Sequence, residues 1–215
     1  MEIVAKIADL IGIIPVIIIF FKGFSLDKKV HIYIYVYIFS LLLKNALTAL
    51  TGYLGIFNIY IYNWYSIISY IIIALLYRTE IKNQYIKMAI LISIGVVVGL
   101  LYIDKDSFFD TQVIYFSRYS HNLVAALAIV VILIYFYQLI QDLPASDLTQ
   151  YPLFWFSTGA LLYYSGNFFS NLFISSTLNH STSNRNLYWT LEVGLIFILT
   201  TCLSLTVWYL KPAKA

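Results

Sequence analysis

Long apolar runs broken by short polar interruptions make up nearly the whole chain. Seven runs stand out, at about 4–21, 31–51, 57–77, 88–103, 119–140, 152–173 and 187–209. Each approaches or exceeds the roughly 20 residues a helix needs to cross a bilayer, and the fourth is the shortest. The pattern predicts an all-α polytopic membrane protein: one bundle of seven transmembrane helices spanning residues 1–215, with no room for a soluble domain. The first run could pass for a signal peptide, but it lacks a strongly basic start and a small-residue cleavage site and it carries Asp9. It is therefore expected to be a retained span, kinked at Pro15. In the fourth run, Gly95-Val-Val-Val-Gly99 has the spacing that lets two helices approach closely, and packing inside the bundle is expected ahead of a dimer seam.

A β-barrel is the competing architecture. His31-Ile-Tyr-Ile-Tyr-Val-Tyr-Ile38 alternates with period two, as a strand does. The alternation sets Tyr against Ile, with no polar lumen face. It also runs into Phe39–Leu43 without the turn that ends a barrel strand of about 10 residues. Helices are expected.

Composition agrees. Of 215 residues, 61% are hydrophobic and 11% charged, with a mean hydropathy of +0.84. A soluble domain carries about 25% charged residues. The net charge of +3 is spread over short loops with no basic block, which argues against a nucleic-acid partner. Cys202 is the single cysteine and lies inside an apolar run, so there is no disulfide framework. With the N-terminus outside, Lys22, Lys28, Lys29, Arg78, Lys82, Lys87, Lys211 and Lys214 fall on the cytoplasmic side, and Lys6, Lys105, Arg118 and Arg185 outside. That bias orients the chain N-out and C-in. The acidic loop at 104–110 then lies outside, and the loop at 141–151, with two Asp and no Lys or Arg, is neutral to the rule.

Three charges inside the runs change the picture. Lys44 lies about 10 Å below the outer end of the second span, and Asp9 and Glu192 about 8 Å into the first and seventh. Burying one alone would cost several kcal/mol, so Lys44 is expected to pair with Glu192, Asp9 or both, with the first, second and seventh helices adjacent. On the second helix, Tyr33, Tyr37, Ser40, Lys44, Thr48 and Thr51 share one face. Asn58, Tyr62, Tyr65 and Ser69 repeat the pattern on the third, and Tyr163, Asn167 and Ser170 or Asn171 on the sixth. His121 and Asn122 open the fifth span, and Tyr188 and Trp189 the seventh. The expected site is a polar, ligand-binding cavity in the outer half of the bundle, formed by Lys44, Asp9, Glu192, Asn167, Asn171, Tyr163, Tyr37, Thr48, Tyr62, Tyr65, Trp189 and His121. Taken alone, His121 reads as an interfacial histidine near Arg118. The blander alternative is an ion pair and hydrogen bonds that only hold helices together. Trp64, Trp155, Trp208 and Tyr209 read as interface anchors.

Familiar catalytic patterns are missing. There is no Gly-rich phosphate loop, no His-x-x-x-His or Cys-x-x-Cys pair and no Gly-x-Ser-x-Gly elbow. The 104–110 loop lacks the Gly and terminal Glu of an EF-hand. The last span has no lysine before Lys211, which argues against a retinal Schiff base of the microbial rhodopsin type. The Lys-Pro and Gly-Asp pattern of lysoplasmalogenase-type hydrolases is not found, since Lys44 precedes Asn45. No catalytic residue, metal or cofactor is assigned.

Tyr151-Pro-Leu-Phe-Trp155, followed by Ser157, Gly159, Leu161, Tyr163, Ser165-Gly166 and Phe168-Phe169, resembles the sixth helix of small uncharacterised seven-span proteins of Bacteroidetes. Tyr188-Trp189 and Trp208-Tyr209-Leu-Lys211 fit the same pattern, while Asn167 stands where relatives often carry a small or hydroxylated residue. These proteins are often encoded beside sensor histidine kinases. The resemblance implies a bacterial inner-membrane location and a signalling neighbour, such as a cytoplasmic histidine kinase.

The function expected is a receptor-like or sensory membrane module. A small ligand would enter from the outer side, and a separate cytoplasmic partner would dock on the basic loop at 78–87 or the acidic loop at 141–151. A small-solute transporter or channel is one alternative, disfavoured by the lack of an internal repeat and of a polar path through the inner half. An intramembrane lipid-modifying enzyme using Asp9 or Glu192 is the other; it lacks an evident nucleophile.

Overall fold

The computed structural model describes residues 12–24, 28–56, 58–110, 118–142, 148–177 and 182–210, with side chains at all of these except 118–119, 173–177 and 182–189. Eight α-helices are described: α1 (Ile14–Lys22), α2 (Lys29–Tyr53), α3 (Ile59–Glu80), α4 (Gln84–Ile103), α5 (Lys105–Phe109), α6 (Arg118–Asp142), α7 (Pro152–Thr177) and α8 (Thr182–Tyr209). No strand occurs among the described residues. The alternating Tyr/Ile stretch lies wholly within α2. Its β-branched residues favour strands, but an apolar segment in lipid must satisfy every backbone group internally, and a helix does so. Five helices, α2, α3, α4, α6 and α8, are long and apolar enough to cross a membrane. The protein is a helical membrane protein.

The helices form a ring in the order α1–α2–α3–α6–α7–α8, closed by α1 against α8. The first and last elements thus meet as the charge placement predicts. Sequence order fails at α4, which packs outside the ring against α3 and α6. Ile90, Val97 and Leu100 are its buried residues, while α3 buries eleven and is the most enclosed helix. Gly95 and Gly99 sit on the outward face of α4, and a Cβ built on either meets nothing within 4 Å. The expectation that this pair packs inside the bundle is corrected. Close approach occurs instead between α7 and α8. A Cβ on Gly159 would overlap the Cβ of Cys202, and one on Gly166 would overlap the side chain of Leu195.

Local chemistry fixes several ends. The Asn83 side chain caps α4, accepting from Tyr85 N at 2.9 Å and Ile86 N at 3.4 Å. Pro15 does not kink a described helix: it stands in the first turn of α1, where a missing N–H needs no partner. Residues 1–11 lie outside the described part. α1 stops at Gly23, whose φ of +77° suits glycine. Lys22 then reaches the end of α8, donating to the carbonyls of Trp208 and, at 3.0 Å, Leu210, with its ammonium 5.4 Å from the Trp208 ring centroid. At the opposite end, α5 folds back under the start of α3. Asn63 Nδ2 donates to Ser107 O at 2.7 Å and Trp64 Nε1 to Phe108 O at 2.9 Å. Trp64 is thereby committed to a protein partner, with its ring edge-on to Phe108 and Phe109.

Candidate functional site

Lys44 and Glu192 are both buried, at 4% and 6% exposure. The helices extend beyond the apolar runs, so both sit deeper than the sequence suggests. Lys44 is nine residues from the end of α2 and Glu192 ten from the start of α8, about 14–15 Å in from each helix end. Glu192 lies within electrostatic reach of Lys44. Among the described residues the two make no direct ion pair. Glu192 Oε1 instead accepts from the Tyr163 hydroxyl at 3.3 Å, and Oε2 has no hydrogen-bond partner. The Lys44 ammonium stands 4.8 Å from the ring centroid of Tyr62 and 5.5 Å from that of Tyr65. A desolvated cation over an aromatic face gains about 2 kcal/mol, so the two rings offset part of the cost of burying the charge.

A cavity opens between α3, α6, α7 and α8. Tyr62, Tyr65, Ser66 and Ser69 line it from α3, and His121, Val124 and Ala125 from α6. Tyr163, Tyr164 and Asn167 contribute from α7, and Glu192 from α8. Its interior leaves about 30 Å³ to the centres of water molecules, room for about two. The chamber therefore suits water, or a ligand of very few atoms.

Of the expected site residues, Tyr62, Tyr65, Tyr163, Asn167, His121 and Glu192 meet at this chamber. His121 faces the cavity. Lys44 stands behind the Tyr62 and Tyr65 rings. Thr48 serves helix packing: its hydroxyl donates to Asn45 O, and its carbonyl accepts from Asn58 Nδ2 at 3.3 Å. Tyr37 is fully buried, and Asn171 lies off the chamber wall. Asp9 and the Trp189 side chain lie outside the described residues. Neither a protein-family model, nor a curated protein, nor a solved structure matches this chain.

Hydroxyls from α3 and α7 also meet in pairs. Tyr164 OH donates to Ser69 Oγ at 2.9 Å, and Tyr77 OH and Ser157 Oγ share a hydrogen bond of 2.7 Å. Tyr77 packs against Tyr135 with ring centroids 5.0 Å apart. The bundle brings these hydroxyls together from α3 and α7. Tyr37 and Tyr65 stand beside each other and beside Tyr164, yet neither hydroxyl has a partner at hydrogen-bond geometry. Leaving a buried donor unsatisfied costs about 1–3 kcal/mol.

A second, wider cavity lies at the other end of the bundle, of about 370 Å³ by the same measure. Lys28, His31, Glu80, Lys82, Tyr135, Gln138 and Asp142 are on its walls, with Tyr151 and Leu210. The start of α2, the ends of α3, α6 and α8 and the approach to α7 thus share one face of the bundle. The candidate docking loops are joined here: Lys82 Nζ pairs with Asp142 Oδ1 at 2.8 Å, and Lys82 N donates to Gln138 Oε1 at 2.9 Å. Gln138 Nε2 donates in turn to Glu80 O at 3.1 Å. Among the described residues, no three His, Cys, Asp or Glu side chains are grouped to hold a metal.

Proposed function

We propose that this protein is a sensory membrane module of the bacterial inner membrane, a seven-span bundle oriented N-out and C-in, in which α1 and α7 join the five apolar spans. The Glu192 chamber, with Lys44 behind its tyrosines, lies toward the outer side. A small polar ligand, or a change of charge there, shifts the packing of α3, α6, α7 and α8, and a separate cytoplasmic partner such as a histidine kinase reads the shift. The observation that carries this reading is Glu192: a buried carboxylate with one unpartnered oxygen, at a water-sized chamber shared by four helices. Burying such a group is costly without full pairing, and ionisable residues held inside membrane helices mark functional sites. The opposite end offers the means of readout. The α3–α4 and α6–α7 connections are tied through Lys82, Gln138 and Asp142, so a tilt of α6 against α3 reaches both loops.

The test uses spin labels at positions 85 and 150 of the full chain in lipid nanodiscs, with Cys202 replaced by Ser and the interspin distance read with and without Glu192→Gln. A changed distance distribution is expected. Superimposable distributions, at both acidic and neutral pH, sink the sensory reading.

A further inference from the structure

The cavity at the Lys82 end of the bundle is large enough to be a site in its own right. It holds about 370 Å³, against about 30 Å³ in the outer chamber. Small-molecule sites hold about 300–1,000 Å³ and are mostly apolar, with a few placed polar groups. Val30, Ile34, Leu139, Leu153 and Leu210 line this one, and each is at most 8% exposed. Ile34 lies five residues into α2, and Tyr135 seven residues before the end of α6. The lining therefore reaches about 8–10 Å in from the helix ends. Charges stand at those ends: Lys28 precedes α2, Glu80 ends α3, Lys82 follows it and Asp142 ends α6. Two cations and two carboxylates balance, so the rim as a whole selects neither an anion nor a cation. Lys82 and Asp142 pair with each other at 2.8 Å, and Gln138 is committed between Lys82 N and Glu80 O. Among the described residues, neither Lys28 nor Glu80 is in an ion pair. An ammonium from one element and a carboxylate from another thus stand over an apolar floor.

We propose that this cavity is a second ligand site, for a zwitterion that carries an ammonium and an anionic oxygen on an apolar body. The ammonium of the ligand donates to the Glu80 carboxylate, and Lys28 donates to its anionic group. The hydrocarbon part lies below, against Val30, Ile34 and Leu139, where burial out of water favours it. A phospholipid with an amine headgroup has this chemistry, since headgroups lie at the level of helix ends and acyl chains beneath them. A free amino acid with an apolar side chain has it too. A ligand with the anionic group alone leaves Glu80 without a counter-charge in the filled site, and one with the ammonium alone does the same to Lys28. The site requires neither the outer chamber nor a cytoplasmic partner, so it stands or falls apart from the sensory reading.

The test has two arms on the full chain in detergent. Native mass spectrometry compares dioleoyl phosphatidylethanolamine with dioleoyl phosphatidylglycerol, which has the same chains and phosphate but no ammonium. Equilibrium dialysis measures labelled phenylalanine. A preference for the ethanolamine lipid of about tenfold, the scale of one charge-assisted hydrogen bond, places a lipid headgroup in the site. Binding of phenylalanine places a free amino acid there. Glu80→Gln should erase the lipid preference or weaken phenylalanine about tenfold, and Lys28→Gln should weaken whichever ligand binds by a similar factor. Lys87→Gln, on α4 and off the cavity wall, should bind like wild type. Thermal unfolding checks that each variant folds, and if one does not, the other is read. A wild type with neither the lipid preference nor phenylalanine binding, or folded variants that keep either one undiminished, overturns the site.

Discussion

Lys44 and Glu192 are held in an apolar bundle by aromatic and hydroxyl contacts from neighbouring helices, with no direct ion pair to each other among the described residues. The cation rests on two tyrosine faces and the carboxylate on one tyrosine hydroxyl, with the two charges near enough to feel each other. Lys44→Met and Glu192→Gln should therefore be non-additive. A double-mutant cycle read by thermal unfolding in detergent should give a coupling of about 1 kcal/mol, while additivity within about 0.5 kcal/mol would mean that the charges act independently. Glycines separate in the same way. Gly159→Ala drives a methyl into the root of the Cys202 side chain and should destabilise by about 1–3 kcal/mol. Gly166→Ala meets only the far end of Leu195 and should cost less, and Gly95→Ala and Gly99→Ala should be tolerated or stabilising. Lys44 and Glu192 were legible in the sequence because charges inside apolar runs have few places to go. The Gly95–Gly99 pair misled because spacing says that two helices can approach, not that a second helix is there.

At the scale of the helix, α3 organises the molecule. It packs on α2, α4, α5 and α6, and its polar face carries Tyr65, Ser66, Ser69 and Tyr77 inward. Its start is held by α5 through two side chains that donate to carbonyls. Asn63→Ala should free the 104–110 segment, raising its amide exchange relative to the rest of α3 at a global cost of about 1 kcal/mol. Unchanged exchange there would show that the Trp64 bond suffices. At the other end, Lys82→Ala removes an ion pair whose side chains are 73% and 39% exposed, and should shift stability by under about 1 kcal/mol. Gln138→Ala loses two hydrogen bonds that tie α6 to the end of α3 and should cost more in the same melting experiment. From α2 onward, the long helices were readable from the apolar runs to within about five residues at each end, while the start of the first run lies outside the described residues. The contacts of α5 were not, because a five-residue helix in an acidic loop has no periodicity to read.

For the whole molecule, alternating helix directions place Lys28, Glu80, Lys82, Asp142 and Leu210 at one end and Ser107 at the other. The proposed orientation puts the first group in the cytoplasm. With Cys202 replaced by Ser, a cysteine at position 106 should react with an impermeant maleimide added to intact spheroplasts, and one at position 82 only after the membrane is opened. The reverse labelling pattern would invert the topology and exchange the outer and inner cavities.

Hydropathy by itself determined that this chain is a set of helices in lipid, because no other backbone arrangement satisfies an apolar run of such length without strand turns. It also singled out the charges that had to be sheltered. Tertiary structure alone decided that α4 stands outside the ring, that the glycines of α7 rather than those of α4 make the close contact, and that hydroxyls of α3 and α7 bond across the bundle. Periodicity within a helix gives the direction of a side chain about its own axis; which neighbour occupies that direction depends on the order in which helices pack, and that order is not written in any one run.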